Sequence, residues 1–125
     1  MPLSIPKPDQ YQEMREALRD LCSRYDSAYW QKIDHERGYP EAFVKAMTDA
    51  GWLAALIPEE YGGFGKNFNT SMLVADVCGA GHSFAVALSA HTGIGTLPIL
   101  YYGNAEQKAK YIPKLGTGEW KASYC

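Results

Sequence analysis

The chain has 125 residues and a formal net charge of −2 at pH 7, from 12 Lys and Arg residues against 14 Asp and Glu residues. This is the length of one domain with its own hydrophobic core, and the near balance of charge excludes the basic surface that binds nucleic acid or an anionic membrane. The first ten residues lack the apolar run of a signal peptide. A cytoplasmic location in a bacterium is therefore predicted, or the mitochondrial matrix for a processed protein of a eukaryote.

Cysteine and histidine residues give no sign of a metal site or of a disulfide framework. The chain has three of each at wide spacing, namely Cys22, Cys78, Cys125, His35, His82 and His91. They form no CxxC, HxxxH or HExxH pattern, which are the spacings typical of zinc ligands and paired thiols. No metal ligand is predicted.

Residues 9–28 show the periodicity of an amphipathic helix, after a Pro-rich lead-in over residues 1–8. The apolar residues recur every three or four positions, at Tyr11, Met14, Leu18, Leu21, Tyr25 and Ala28. This spacing places them on one face. It predicts one long helix that packs on its own domain, because a dimerising coiled coil needs three or four sustained heptads.

A second helix is predicted to begin at Pro40 and to end at Gly51, which suits a left-handed cap. The loop over residues 58–67 then reads PEEYGGFGKN. It lacks the pattern GxxxxGK[ST] of a phosphate-binding loop, and GxGxxG occurs nowhere in the chain. We therefore predict a tight turn with a positive φ at Gly62 or Gly63.

A third helix is predicted with Asn69 or Thr70 as its cap and with its end at residues 79–81. Its inner side is predicted to consist of apolar residues, namely Met72, Leu73, Val74, Ala75 and Val77. Ser83 is a suitable cap for the element that follows.

Residues 84–102 contain no charged side chain, and Asp76 is the only one between Lys66 and Glu106. Charged side chains are rarely buried, so the stretch is predicted to be a central helical element wrapped by other helices. Pro98 has no N–H for the carbonyl of Ile94, which predicts a bend there. A membrane span is disfavoured, because polar residues and glycines interrupt the stretch and no basic cluster flanks it.

The last helix is predicted to begin with a capping box of Asn104 and Gln107 and to end at Gly116 and Gly118. The segment EWKASYC then predicts an extended end. The predicted fold is mainly α, an up-down domain of about six helices with a short extended C-terminal end.

Two long stretches together resemble the N-terminal helical domain of the acyl-CoA dehydrogenase family. They are YPEAFVKAMTDAGWLAALIPEEYGGFG and GTLPILYYGNAEQKAKYIPKLGTGEWKASYC. The order and spacing of the PEEYGG turn, the Pro-Ile-Leu run and the Gln-Lys helix carry the resemblance. It implies a helical domain over residues 9–118, with residues 119–125 as the start of a flavin-binding β-domain.

The resemblance also implies a cofactor and a substrate. Tyr124 and Cys125 correspond to the start of the flavin-binding strand and are candidate neighbours of FAD. Ala87, Ala90, His91 and Ile94 correspond to the wall of the tunnel for the fatty-acyl chain, although the same pattern of small residues serves close helix packing. Electron-transfer flavoprotein and a homo-oligomer are the implied partners.

In the family the general base is a glutamate of a C-terminal helical domain, so neither Glu59 nor Glu60 of the PEEYGG turn is assigned that role. These 125 residues are thus expected to belong to a longer FAD-dependent enzyme, a dehydrogenase or a related oxidase, and to be inactive alone. The alternative is a stand-alone helical interaction module without catalytic activity. Exposed tyrosines around Tyr101, Tyr102 and Tyr124 would be its contact surface.

Overall fold

The structure is a computed structural model that describes residues 11–67, 69–70, 72–74, 84–123 and 125. Within these residues the regular structure is helical and contains no strand. The bounded α-helices are α1 (Gln12–Ser23), α2 (Ser27–His35), α3 (Glu41–Asp49), α4 (Phe84–Leu88), α5 (Leu97–Tyr102) and α6 (Ala105–Gly116). The prediction of a mainly α domain of about six helices is confirmed.

The single long helix predicted over residues 9–28 is wrong, because the chain turns between α1 and α2. Asp26 begins α2, and its side chain accepts a hydrogen bond from the Tyr29 N–H at 3.0 Å. Aspartate is favoured at this position because it satisfies an N–H group that the first turn leaves without a partner. The predicted apolar stripe extends to Tyr25, which packs edge-to-face on Phe43 of α3 at 5.2 Å between ring centroids, whereas Ala28 in α2 is exposed and its prediction is wrong.

The main core lies between α1, α3, the residues that follow α3 and the end of α4. Its buried members are Leu18, Leu21, Phe43, Val44, Met47, Leu53, Leu73, Val74 and Leu88. A second cluster is formed by Ala54, Ile57 and Ile112. Through Ile112 this smaller cluster joins α6 to the residues that follow α3.

The PEEYGG loop packs back on the chain that follows α3. Gly51 ends α3 with a φ of 81°, and Gly62 has a φ of 84°, so both left-handed positions are confirmed. Gly63 is required for a different reason, because a Cβ there would overlap the Ile57 carbonyl. Two 3₁₀ turns, Trp52–Ala54 and Glu59–Tyr61, lie on either side of Ile57.

The helical residues 69–70 and 72–74 differ from the prediction in the residue that caps them. Asn67 provides the cap, because its side chain accepts a hydrogen bond from the Thr70 N–H at 3.3 Å. Asn69 and Thr70 are both already helical, so the prediction of either as the cap is wrong. Asn67 lies three residues before Thr70, which is the spacing of an N-cap side chain to its backbone donor.

Leu73 and Val74 are buried as predicted, whereas Met72 is exposed and its prediction is wrong. Consecutive helical residues point in different directions, so a short apolar run cannot lie entirely on the inner side. The predictions for Ala75, Val77, residues 79–81 and Ser83 lie outside the described residues.

The central segment, residues 84–102, consists of α4, a π-helical stretch over Ser89–Gly95 and α5. Ile94 lies in this π-helix, in which hydrogen bonds close over five residues instead of four, and the bend expected there stays a prediction. The prediction that other helices wrap the segment is wrong for one side, since Val86 is 73% exposed and Ile94 is 54% exposed. Absence of charge identifies an apolar segment but does not say which side other helices cover.

α6 begins and ends as predicted. Asn104 and Gln107 form the reciprocal capping box, with bonds of 2.8 and 2.9 Å. The helix ends at Gly116, and Gly118 takes a φ of 70°. Residues 121–123 then run without regular structure against the central segment, which brings the C-terminal end next to the candidate site.

Candidate functional site

The exposed residues of the central segment include small and aliphatic side chains together with Ser89, and the aromatic Tyr101 and Tyr102 at its end. We call Val86, Ala87 and Ile94 the open face, and Ala90 is half-buried at the same segment. Gly93 lies in the same stretch, and a Cβ built on it would contact nothing within 4 Å. The segment therefore presents apolar groups and free space without a charged group of its own.

The other side of the segment is buried, and its polar groups are paired. Leu88, His91, Thr92 and Thr96 are its buried residues. The Thr92 hydroxyl donates to the Leu88 carbonyl at 2.7 Å, and the Thr96 hydroxyl donates to the His91 carbonyl at 2.6 Å. Both bonds are helix-internal, so they hold the π-helical stretch without a partner from another element.

His91 joins the central segment to two other parts of the chain. Its Nε2 lies 3.0 Å from the Leu115 carbonyl at the end of α6, and its Nδ1 accepts the Ala122 N–H at 3.0 Å. Only 5% of the residue is exposed. An acceptor at Nδ1 and a carbonyl at Nε2 are satisfied together by the neutral ring that carries its hydrogen on Nε2.

The environment of His91 lowers its pKa from the ordinary value of 6.5. Burial is the largest cause, because it disfavours the charged ring. The bond to the Leu115 carbonyl acts in the opposite direction, and the nearby Lys121 ammonium adds to the lowering. The balance favours the neutral form that the two hydrogen bonds require.

Gly95 completes the contact between the central segment and the C-terminal end. A Cβ on Gly95 would overlap the Ala122 Cβ and would lie 3.3 Å from the Ala122 Cα. Glycine is thus needed here for close approach, because its φ is not in the left-handed region. His91 binds the backbone of Ala122 while Gly95 leaves room for its side chain.

The predicted site residues fall into two groups. Ala87 and Ile94 lie on the open face, while His91 is turned away from solvent toward α6 and Ala122. Cys125 is exposed, and Tyr124 lies outside the described residues. The roles of these residues in binding an acyl chain or FAD stay predictions.

Gly95, Leu115 and Ala122 were not predicted as parts of the site. Gly95 was the only one of the three with a signal in the sequence, because a glycine permits the close approach of another part of the chain. Ala122 is 31 residues from His91, so no local pattern indicates their contact.

A second concave region lies beside this site, between α3 and residues 117–121. It has a volume of about 480 Å³, and Thr48, Gly118 and Lys121 are among its lining residues. Lys45 and Asp49 on its wall bind each other at 2.6 Å, and Lys121 donates to the Gly118 carbonyl. The cationic groups of the groove therefore already have partners, and none of the predicted site residues lines it.

The part of the chain that the structure describes has neither a membrane-spanning helix nor a cluster of metal ligands. No helix there is both long enough and apolar enough to span a membrane. No group of three or more His, Cys, Asp or Glu side chains there has the arrangement of a metal site.

The fold and the site define a class of protein: a helical domain with one uncovered apolar side and a C-terminal end held beside it. The family model described as "Acyl-CoA dehydrogenase, N-terminal domain" matches residues 8–119. The chain belongs to this family.

Known relatives agree with this assignment. The chain is 40% identical over 91 residues to a "Probable acyl-CoA dehydrogenase" of Bacillus subtilis, covering 73% of this chain and 15% of that protein. It is 35% identical over 107 residues to a second B. subtilis protein, "Acyl-CoA dehydrogenase", covering 85% of this chain and 28% of the relative. The chain thus spans less than a third of the length of either relative.

A solved structure has the same fold. It is an acyl-CoA dehydrogenase complexed with FAD from Bacillus anthracis, with a TM-score of 0.84 and 32% sequence identity. The match covers 94% of this chain and 20% of that chain.

Proposed function

We propose that this chain is the N-terminal helical domain of an FAD-dependent acyl-CoA dehydrogenase, an enzyme that introduces a double bond between the α and β carbons of an acyl-CoA thioester. The observation that carries the proposal is the open face on a central segment without charges, in a chain that belongs to this family. In the complete enzyme this face forms one wall of the acyl-chain tunnel.

The chemistry of the open face suits a fatty-acyl chain. Val86, Ala87 and Ile94 offer aliphatic surface, and burial of such surface against methylene groups contributes about 0.8 kcal/mol per CH₂. Ala90 and Gly93 are small, so they leave room for a chain to lie along the segment. The paired hydroxyls of Thr92 and Thr96 point into helix-internal bonds and do not add polar groups to this face.

The C-terminal end supports a position for FAD next to the same segment. Ala122 is bonded to His91, and Cys125 follows three residues later, so it lies within about 11 Å of Ala122 along the chain. Cys125 is exposed, as a residue that contacts a bound group from another domain would be. FAD, when bound, accepts the hydride that leaves the β carbon, and Tyr124 and Cys125 would contact it.

In the reaction, this chain binds and orients the acyl chain and FAD. Glu59 and Glu60 lie in an exposed 3₁₀ turn, and we assign neither the role of proton acceptor. The carboxylate that removes the α proton is expected from the C-terminal domain of the enzyme, as the family resemblance implies. Consequently the 125 residues alone are expected to show no turnover and no tight binding of FAD, and electron-transfer flavoprotein is the expected electron acceptor of the whole enzyme.

A chimeric enzyme tests this function directly. In it, residues 8–119 of this chain replace the aligned part of the B. subtilis acyl-CoA dehydrogenase that is 35% identical. We expect a yellow protein that retains flavin through gel filtration and whose flavin is bleached by an acyl-CoA under anaerobic conditions. A folded chimera that retains flavin but is bleached by no acyl-CoA of any chain length would contradict the proposal.

Two tryptophan substitutions, each at an alanine position of the chimera, test the tunnel wall. Ala87→Trp fills the open face, whereas Ala109→Trp places the same side chain at an exposed position of α6. We expect Ala87→Trp to lower kcat/KM for the longest accepted acyl-CoA by about tenfold or more, because loss of apolar pocket contacts has effects of this size. Ala109→Trp should leave the chain-length profile unchanged; equal profiles for both variants would exclude the open face as the wall.

A further inference from the structure

His91 and Gly95 hold the same residue of the C-terminal end. The His91 Nδ1 accepts the Ala122 N–H, and Gly95 provides the space into which the Ala122 methyl group fits. Both belong to the π-helical stretch that also carries Ile94 of the open face. We call the three residues His91, Gly95 and Ala122 the latch.

The latch requires the neutral His91 ring with its hydrogen on Nε2. With hydrogen on Nε2, the ring donates to the Leu115 carbonyl and accepts from Ala122, so both of its nitrogens are satisfied. The other neutral tautomer would set the Nδ1 hydrogen against the Ala122 N–H, and the charged ring would do the same. The Leu115 carbonyl lies in the last turn of α6 and also accepts the Gly118 N–H at 3.2 Å.

The backbone that carries the ring is held by two hydroxyl groups. The Thr96 hydroxyl bonds to the His91 carbonyl, and the Thr92 hydroxyl bonds to the Leu88 carbonyl one turn earlier. A second bond holds the start of the C-terminal end, because the Trp120 N–H donates to the Lys114 carbonyl at 3.1 Å. The chain after Trp120 is thus held at two places, one on α6 and one on the central segment.

We propose that His91 is a positioning residue, which in its Nε2–H form holds residues 121–123 on the π-helical stretch and so sets the position of Tyr124 and Cys125 relative to the open face. This inference rests on the proposed function for its consequence, which is the alignment of the flavin neighbours with the acyl-chain wall. The contact itself stands on the hydrogen bonds and on the close approach at Gly95. His91 is not a catalytic residue in this proposal.

Amide hydrogen exchange of the 125-residue chain tests the latch without any cofactor. We expect the Ala122 amide to be protected, and His91→Ala to reduce its protection by about 2- to 12-fold, the effect of losing one hydrogen bond. His91→Asn should restore protection, because its side-chain oxygen can accept near the Nδ1 position, whereas His91→Gln should not. The Trp120 amide serves as the internal reference and should keep its protection.

Alanine substitutions at Gly95 and Gly93 test the latch independently. Gly95→Ala should remove the protection of Ala122 by overlap, and Gly93→Ala, whose Cβ enters open space, should retain it. An Ala122 amide that exchanges freely in the wild-type chain would overturn the latch, as would equal protection in Gly95→Ala and Gly93→Ala.

The consequence for FAD is measured in the chimeric enzyme extended to include residues 120–125 of this chain. We expect His91→Ala to weaken flavin retention and His91→Asn to restore it. If the latch is present in the exchange experiment but flavin retention is the same in all three proteins, the positioning role is wrong. If the parent chimera oxidises no acyl-CoA, the proposed function fails, while the exchange result still decides whether the latch exists.

Discussion

The two sides of the central segment both lack charged side chains, but their surroundings differ. Leu88 on one side is 4% exposed and belongs to the main core, while Val86, two residues earlier in the same helix, is 73% exposed. Both residues are aliphatic, and no charge separates them. The comparison teaches that absence of charge in the sequence marks both the side that the domain's own helices cover and the side that they leave open.

The largest expected effect is a difference in unfolding free energy between substitutions on the two sides. Leu88→Ala removes a buried side chain and should lower the free energy of unfolding by about 2–5 kcal/mol. Val86→Ala removes an exposed one and should change it by no more than about 0.5 kcal/mol. Urea unfolding of the 125-residue chain, followed by circular dichroism, measures both.

Comparable losses of unfolding free energy in Leu88→Ala and Val86→Ala would contradict the difference between the two sides, because they would mean that Val86 is covered in solution. Repeating the unfolding at several protein concentrations would then show whether a second copy of the chain covers it, since the midpoint of an associating protein depends on concentration.

A smaller loss of stability is expected from removal of the Thr96 hydroxyl, which bonds to the His91 carbonyl. Thr96→Val keeps the shape of the buried side chain but removes its hydrogen bond to the His91 carbonyl, and should cost about 0.5–1.5 kcal/mol. Thr96→Ser keeps the hydroxyl and serves as the control for that bond. If thermal unfolding gives equal stability for Thr96→Val and the wild type, the bond does not contribute and the π-helical stretch is held by packing alone.

The elements that could be predicted from the sequence are those with local causes. The capping box of Asn104 and Gln107 and the left-handed Gly51 and Gly62 depend on residues within a few positions, so their signals are complete in short stretches. The turn at Asp26 was missed because its cap competes with an apolar periodicity that continues in the sequence on both sides. Periodicity in the sequence does not show where the backbone turns, and Ala28 beyond the turn is exposed.

The candidate site was predictable in part, and for a different reason. The resemblance to the family indicated the central segment and residues 124–125 as the places for substrate and cofactor. It did not separate His91 from Ala87 and Ile94, because that separation follows from contacts with Leu115 and Ala122. These partners are 24 and 31 residues away, and the π-helical path that brings His91 to them has no local signature.

The buried side should also respond to pH through His91. Since its pKa is lowered in the folded state, the unfolded chain takes up the proton more readily as the pH falls below the ordinary value of 6.5. Stability from the neutral ring is therefore complete above about pH 6.5 and is lost as the pH falls through the lower pKa of the folded state. The Lys121 ammonium on the neighbouring C-terminal segment acts with this trend, whereas the bond to the Leu115 carbonyl of α6 acts against it.

Unfolding free energies of the wild type and His91→Asn, measured between about pH 5 and 7.5, isolate this contribution. The variant should show a flatter dependence than the wild type, because it lacks the ring that takes up the proton. An unchanged slope in His91→Asn would mean that the ring is not the group that titrates.

The smallest effect on stability is expected on the open face, where the comparison becomes one of association. The uncovered Val86 and Ile94 predict that the 125-residue chain self-associates, because an exposed apolar surface gains free energy when a second copy covers it. Ile94→Ser should reduce the weight-average mass in sedimentation velocity while changing the free energy of unfolding by about 0.5 kcal/mol or less.

Met72→Ser removes a comparable exposed side chain, 56% exposed, from another helix and is the matched control. Equal reductions in both variants would assign association to general surface hydrophobicity, and a wild-type monomer at every concentration would mean that the open face needs a partner of different chemistry, as an acyl chain or a flavin domain would provide.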